Sequence, residues 1–169
     1  MNVEEAIVTA LNYETKVRDH YLQAAKESQE PKGRHFFESL AKEEQGHVDY
    51  LESRLKTWRA EKRLDTSPVP TTLPSPEWLS KGVSMLEGSA QKRDYQDDYR
   101  RLFTALKLED EVSDFYKRLV ETLDNPDGRT MFSRFLEIED GHTAIVQLEV
   151  DVLTRTGYFF DFQEFNLEE

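Results

Sequence analysis

Two Glu-x-x-His pairs stand in the chain, Glu44 with His47 and Glu139 with His142. On a helix that spacing brings a carboxylate and an imidazole to one side within a turn, so that both can grip one cation. Two further glutamates, Glu14 and Glu109, lie among apolar residues at helical spacing, each seven positions before a tyrosine, Tyr21 and Tyr116. Oxygen-rich ligation with two imidazole nitrogens suits iron or manganese better than the Cys-rich sites that zinc often occupies. Such a set binds metal, and with redox-active ions it can pass electrons to a small oxidant.

Either pair alone is a weak signal in a chain this rich in glutamate. A shift of 95 residues changes that, because it superposes Ala10, Leu11, Glu14, Val17, Asp19 and Tyr21 on Ala105, Leu106, Glu109, Val112, Asp114 and Tyr116 without a gap. The same offset carries Pro31, Gly33, Arg34, Phe37, Glu44, Gly46 and His47 onto Pro126, Gly128, Arg129, Phe132, Glu139, Gly141 and His142. Leu and Ala identities alone would mean only two helix hairpins. Glu, His, Tyr and Gly at one offset indicate a duplicated hairpin with approximate two-fold symmetry.

The elements that must position these residues are long amphipathic helices. Apolar residues recur with helical period over about 3–28, from Phe36 to about Leu64, from about Tyr95 to about Leu123, and over roughly 129–156. Between Asp65 and Pro76 four prolines rule out helix and leave an extended crossover, followed by a short helix from Pro76. The expected fold is all-α: a four-helix bundle of two repeated hairpins joined by a long crossover, forming one domain over 1–169. Its parts are a first hairpin at 1–64, the crossover at 65–95, a second hairpin at 96–157 and an aromatic tail at 158–169. Five aromatic rings between Tyr158 and Phe165 predict that the tail is packed, on its own bundle or on a neighbour.

Within that bundle Glu14, Glu44, His47, Glu109, Glu139 and His142 all face inward. Burying four carboxylates without neutralisation costs several kcal/mol each, and no inward-facing Lys or Arg is in register to offset it. Two metal ions solve the problem, since carboxylates can bridge them and each histidine supplies one nitrogen. Tyr21 and Tyr116 are expected to hydrogen-bond ligand carboxylates across the bundle. Gly46 and Gly141 suggest close helix approach or substrate access, and His20 and His35, which have no histidine mate at the offset, are expected on the surface.

Bulk properties narrow the classes further. The net charge of -12 repels phosphate backbones and anionic membranes, so nucleic acid is not an expected partner. The basic run from Lys56 to Arg63 falls at a helix C-terminus, where cations offset the macrodipole. With no Cys, this chain contains no disulfide, iron–sulfur cluster or thiol chemistry. No apolar stretch is long enough for a membrane span, and the chain reads as cytoplasmic.

Over nearly its full length apart from about 65–95 and the tail, the chain resembles the rubrerythrin-like group of the ferritin-like superfamily. The resemblance rests on Glu14 with Tyr21, Glu44-Gln45-Gly46-His47, Glu109 with Tyr116, and Glu139-Asp140-Gly141-His142. It implies a carboxylate-bridged di-iron centre oxidised by hydrogen peroxide or dioxygen, with Glu14 and Glu109 terminal, Glu44 and Glu139 bridging, and one histidine on each iron. It also implies a homodimer. Two departures stand out: the Cys-ligated iron of classical rubrerythrins is missing, so electrons need a separate donor, and Val112 stands where they carry an extra carboxylate. The six-ligand set is equally similar to the bacterioferritin type, which keeps iron oxidation and storage as an alternative function. A metal-free interaction protein on the same scaffold is the third.

Overall fold

The computed structural model describes residues 1–84 and 96–160, and among them it contains five helices and no strand. They are α1 (Val3–Glu27), α2 (Pro31–Glu61), α3 (Pro76–Ser84), α4 (Gln96–Thr122) and α5 (Pro126–Thr156). Four long helices form two antiparallel hairpins, α1 with α2 and α4 with α5, and the short α3 lies against α5. The α1–α4 seam is also antiparallel: Tyr13 packs at a tilt on Phe115 with centroids 4.8 Å apart, Lys16 meets Glu111 at 3.2 Å, and Glu27 meets Arg101 at 3.3 Å.

Local chemistry explains where the helices begin and end. Asn2 caps α1 by accepting from the Glu5 N–H while the Glu5 carboxylate takes the Asn2 N–H, both at 2.9 Å. Pro31 and Pro126, equivalent under the repeat, each open a helix, where a missing N–H costs nothing. Glu30 and Asn125 cap those helices through Gly33 and Gly128 N–H, at 3.0 Å and 2.7 Å. Both glycines sit against side chains: a Cβ on Gly33 would lie 2.8 Å from Phe159 and one on Gly128 only 2.6 Å from Leu123, so a larger residue would force those side chains to shift. The two hairpins also finish alike, with Lys62 (φ 53°) and Gly157 (φ 73°) in left-handed caps one repeat apart. The Lys62 turn stops α2 at Glu61, a few residues short of the Leu64 that periodicity suggests.

Phe36, Phe37, Leu40, Leu51, Phe132 and Phe135 fill the bundle interior at 1% exposure or less. Each such side chain contributes roughly 1.5–3 kcal/mol of burial free energy. The helix-end cations from Arg59 to Arg63 are spent on neighbouring carboxylates, Arg59 on Glu4 at 2.8 Å and Arg63 on Glu61 at 3.1 Å, so they form no free basic patch.

One repeat position holds the connections in place. Arg54, buried on α2, reaches the Ser67 carbonyl at 3.4 Å and Asp65 at 3.5 Å, pinning the crossover. Its mate 95 residues on is Glu149, fully buried on α5, whose carboxylate accepts the Phe160 N–H at 3.2 Å. Each half thus uses a buried ionisable side chain to fix the segment that follows it. Phe159 and Phe160, both 1% exposed, pack on Phe36 of their own chain, which resolves that much of the tail toward its own bundle. Gly88 and the aromatic residues from Phe162 onward lie outside the described residues.

Candidate metal centre

The six inward-facing residues meet at the centre of the bundle. Glu14, Glu44, His47, Glu109 and Glu139 are 0% exposed and His142 is 1% exposed. α1 and α4 each contribute one glutamate, and α2 and α5 each contribute a Glu-x-x-His pair. His47 Nδ1 lies 3.1 Å from Glu14 Oε2, 3.2 Å from Glu44 Oε2 and 3.2 Å from Glu139 Oε1. His142 Nδ1 lies 2.8 Å from Glu44 Oε1, 3.4 Å from Glu139 Oε2 and 4.0 Å from Glu109 Oε2. Glu44 and Glu139 therefore each turn one oxygen to one histidine and the other oxygen to the second. Glu14 belongs to the His47 side and Glu109 to the His142 side.

Two four-residue groups result, Glu14–Glu44–His47–Glu139 and Glu44–Glu109–Glu139–His142, each with ligand atoms within 4.8 Å of one another and sharing the same two carboxylates. The imidazole rings run nearly parallel, centroids 5.3 Å apart and planes at 5°.

Protons and protein donors alone satisfy this cluster poorly. A ring nitrogen carries at most one proton, yet three carboxylate oxygens converge on His47 Nδ1. Both oxygens of Glu44 and of Glu139, and one of Glu109, are buried without a hydrogen-bond donor. Buried polar atoms left so cost about 1–3 kcal/mol each. Cations placed among these oxygens and Nδ1 atoms would give them partners, so the donor set fits metal ions.

The electrostatics agree. Burial, reinforced by repulsion from Glu139 and Glu44, pushes the Glu14 carboxyl well above the usual range; burial and then Glu44 do the same to Glu109. Burial also acts to raise Glu44, but the His47 and His142 imidazoles outweigh it and hold it below the ordinary carboxylate range. Burial and Glu44 likewise act to raise Glu139, and the two imidazoles again prevail. Burial acts to lower His47 and His142, yet the facing carboxylates hold both well above an ordinary histidine. Without metal the cluster is balanced by protons it would release to a cation.

The tyrosines cross between the halves. Tyr21 donates its hydroxyl to Glu109, and Tyr116 donates to Glu14, so each holds the inward-facing glutamate that the first helix of the opposite hairpin contributes. Burial, followed by the charge of that glutamate, pushes both phenols well above their ordinary range and keeps the hydroxyl proton in place. Phe135 stands edge-on to His47 at 5.4 Å and stacks on Tyr116 at 5.1 Å, closing the site with hydrocarbon.

Other sequence expectations fare differently. His20 and His35 lie outside the centre, but both are half-buried, and His20 Nε2 sits 3.0 Å from the Arg101 carbonyl oxygen. Val112, where rubrerythrins carry a carboxylate, is buried core at 1% exposure. Close helix packing does not explain Gly46 or Gly141: a Cβ on Gly46 meets nothing within 4 Å, and one on Gly141 only Pro76 at 3.9 Å. Gly46→Ala should therefore raise the unfolding free energy by about 0.5–1 kcal/mol in urea titrations, with unchanged metal content. Glu43 joins the centre without a signal in the sequence. It is 4% exposed and forms a third group with His47 and His142. Its mate under the repeat is Ile138, so the offset gives no signal there.

The chain belongs to the ferritin-like domain family, whose profile matches residues 4–151. No curated protein and no solved structure matches it. Among the described residues no helix is long and apolar enough to cross a membrane.

Proposed function

We propose that the chain is a di-iron oxidoreductase of the rubrerythrin-like kind, reducing hydrogen peroxide or dioxygen at a centre held by Glu14, Glu44, His47, Glu109, Glu139 and His142. The observation that supports it most is the pair of four-residue groups sharing Glu44 and Glu139. Two carboxylates that each face both histidines could be shared between two ions, and Glu14 with His47 and Glu109 with His142 would then hold one ion each. Iron, or manganese in its place, would supply the electrons for reduction of the oxidant. The protein's own part is to hold six donors rigidly, to orient the terminal carboxylates through Tyr21 and Tyr116, and to keep bulk water out with Phe135 and its neighbours. Electrons to restore the reduced state come from a donor outside these residues, since the chain has no Cys-ligated iron.

Anaerobic titration with Fe(II), followed by hydrogen peroxide or air, tests the reading. It predicts tight uptake of two irons per chain and rapid oxidation of both on adding the oxidant. Uptake of less than one iron per chain, or no spectral change with either oxidant, overturns it. Elution as a large many-subunit cage, with oxidised iron retained in bulk, would favour storage instead.

A further inference from the structure

Glu43 is a buried carboxylate that the ligand set does not use. Its oxygens accept the Thr72 N–H at 3.0 and 3.2 Å and the Thr72 hydroxyl at 2.6 Å, so the crossover holds it from one side. On the other side it has an oxygen within 4.8 Å of a ring nitrogen of both His47 and His142. The Nδ1 atoms of those rings face the shared carboxylates, and their Nε2 atoms are buried with no hydrogen-bond partner. When an imidazole binds metal through Nδ1, its Nε2 keeps a proton and must donate it. Metal-bound histidines commonly give that proton to a carboxylate, which fixes ring orientation and raises the basicity of the ligand.

We propose that Glu43 is the common positioning residue for both metal-facing imidazoles, accepting their Nε2 protons, and that Thr72 sets its place from the crossover. A carboxylate has about four acceptor directions, enough for the Thr72 donors and two imidazoles. The parallel rings, 5.3 Å apart, present both histidines to one acceptor. The repeat is broken here in the required way: Ile138 occupies the equivalent place in the second hairpin and cannot accept, so one carboxylate serves both halves. Reading the same three residues as a third cation site is less favourable, because an ion on Nε2 would require imidazoles stripped of both protons. The inference rests on the metal-binding reading above but not on any oxidase or peroxidase activity.

The full chain loaded with Co(II) is the test, comparing wild type, Glu43→Ala, Glu43→Gln and Thr72→Val. Proton NMR in water should show two exchangeable, metal-shifted imidazole N–H signals in wild type. Glu43→Ala should make both exchange at least about tenfold faster and weaken Co(II) binding by about 10–100-fold. Glu43→Gln, which keeps an acceptor oxygen, should recover most of the loss, and Thr72→Val should fall between. Unchanged exchange and affinity in Glu43→Ala, with normal binding by wild type, overturn this inference alone. A third Co(II) per chain that disappears in Glu43→Ala overturns it in favour of a cation site. Failure of wild type to take up Co(II) overturns the metal reading, and this inference with it.

Discussion

Saturating the metal-free protein with Fe(II) or Mn(II) without oxygen should raise its thermal midpoint by about 10–20 °C, and by more at about pH 8 than at about pH 6. Each site filled at roughly a hundredfold excess over its dissociation constant adds about 2.7 kcal/mol, and a domain of this size gains about 2–4 °C per kcal/mol. The pH dependence follows from the buried cluster. His47 and His142 have raised folded-state pKa values, so their contribution in the metal-free protein is complete below the unfolded value and is lost as pH rises through the folded one. Glu14 and Glu109, also raised, lose stability in the same direction. Glu44 and Glu139 are lowered, so their contribution exists above the unfolded carboxylate value and is lost as pH falls. The metal-free protein should therefore be most stable in mild acid, whereas metal, which must displace the protons, stabilises more as pH rises. Thermal scans with and without metal at the two pH values check this. An equal shift at both, or none, would contradict the cluster's proposed role.

Glu44→Gln should abolish tight metal uptake at both positions, while Glu14→Gln should remove only one of them. The difference lies in the oxygens: Glu44 faces His47 and His142, whereas Glu14 faces His47 and not His142. The change to an amide keeps side-chain volume but removes the charge needed to offset a cation. We expect affinity to fall by more than about 100-fold, beyond the loss typical of a group that only orients a ligand. Metal analysis after passage over a desalting column should give fewer than one ion per chain for Glu44→Gln and about one for Glu14→Gln. Equal residual content in the two variants would contradict the assignment of Glu44 as shared.

The sequence carried the six central residues because duplication wrote them twice. Glu14 and Glu109 are unremarkable alone among so many glutamates, and the offset with Tyr21 and Tyr116 made them stand out. The crossed Tyr–Glu pairs were legible as pairs across the bundle, but which glutamate each phenol takes depends on how the hairpins dock. Glu43 was illegible for two reasons. It has no polar mate in the second half, and its partner Thr72 comes from a proline-rich stretch whose path is set by tertiary contacts rather than by periodicity. Arg54 and Glu149 share a register but not a charge, so their common task of pinning the following segment appears only when the segments are seen in place. Gly46 and Gly141 repeat faithfully without being crowded, so their repetition does not signal close helix packing.

The most direct test of the central claim is a crystal structure of the protein loaded anaerobically with Fe(II), with anomalous scattering used to locate the metal. Two strong peaks per chain roughly 3.5–4 Å apart, between Glu44 and Glu139 and capped by His47 and His142, are the expected result. A single peak, or metal only on the surface, would contradict it.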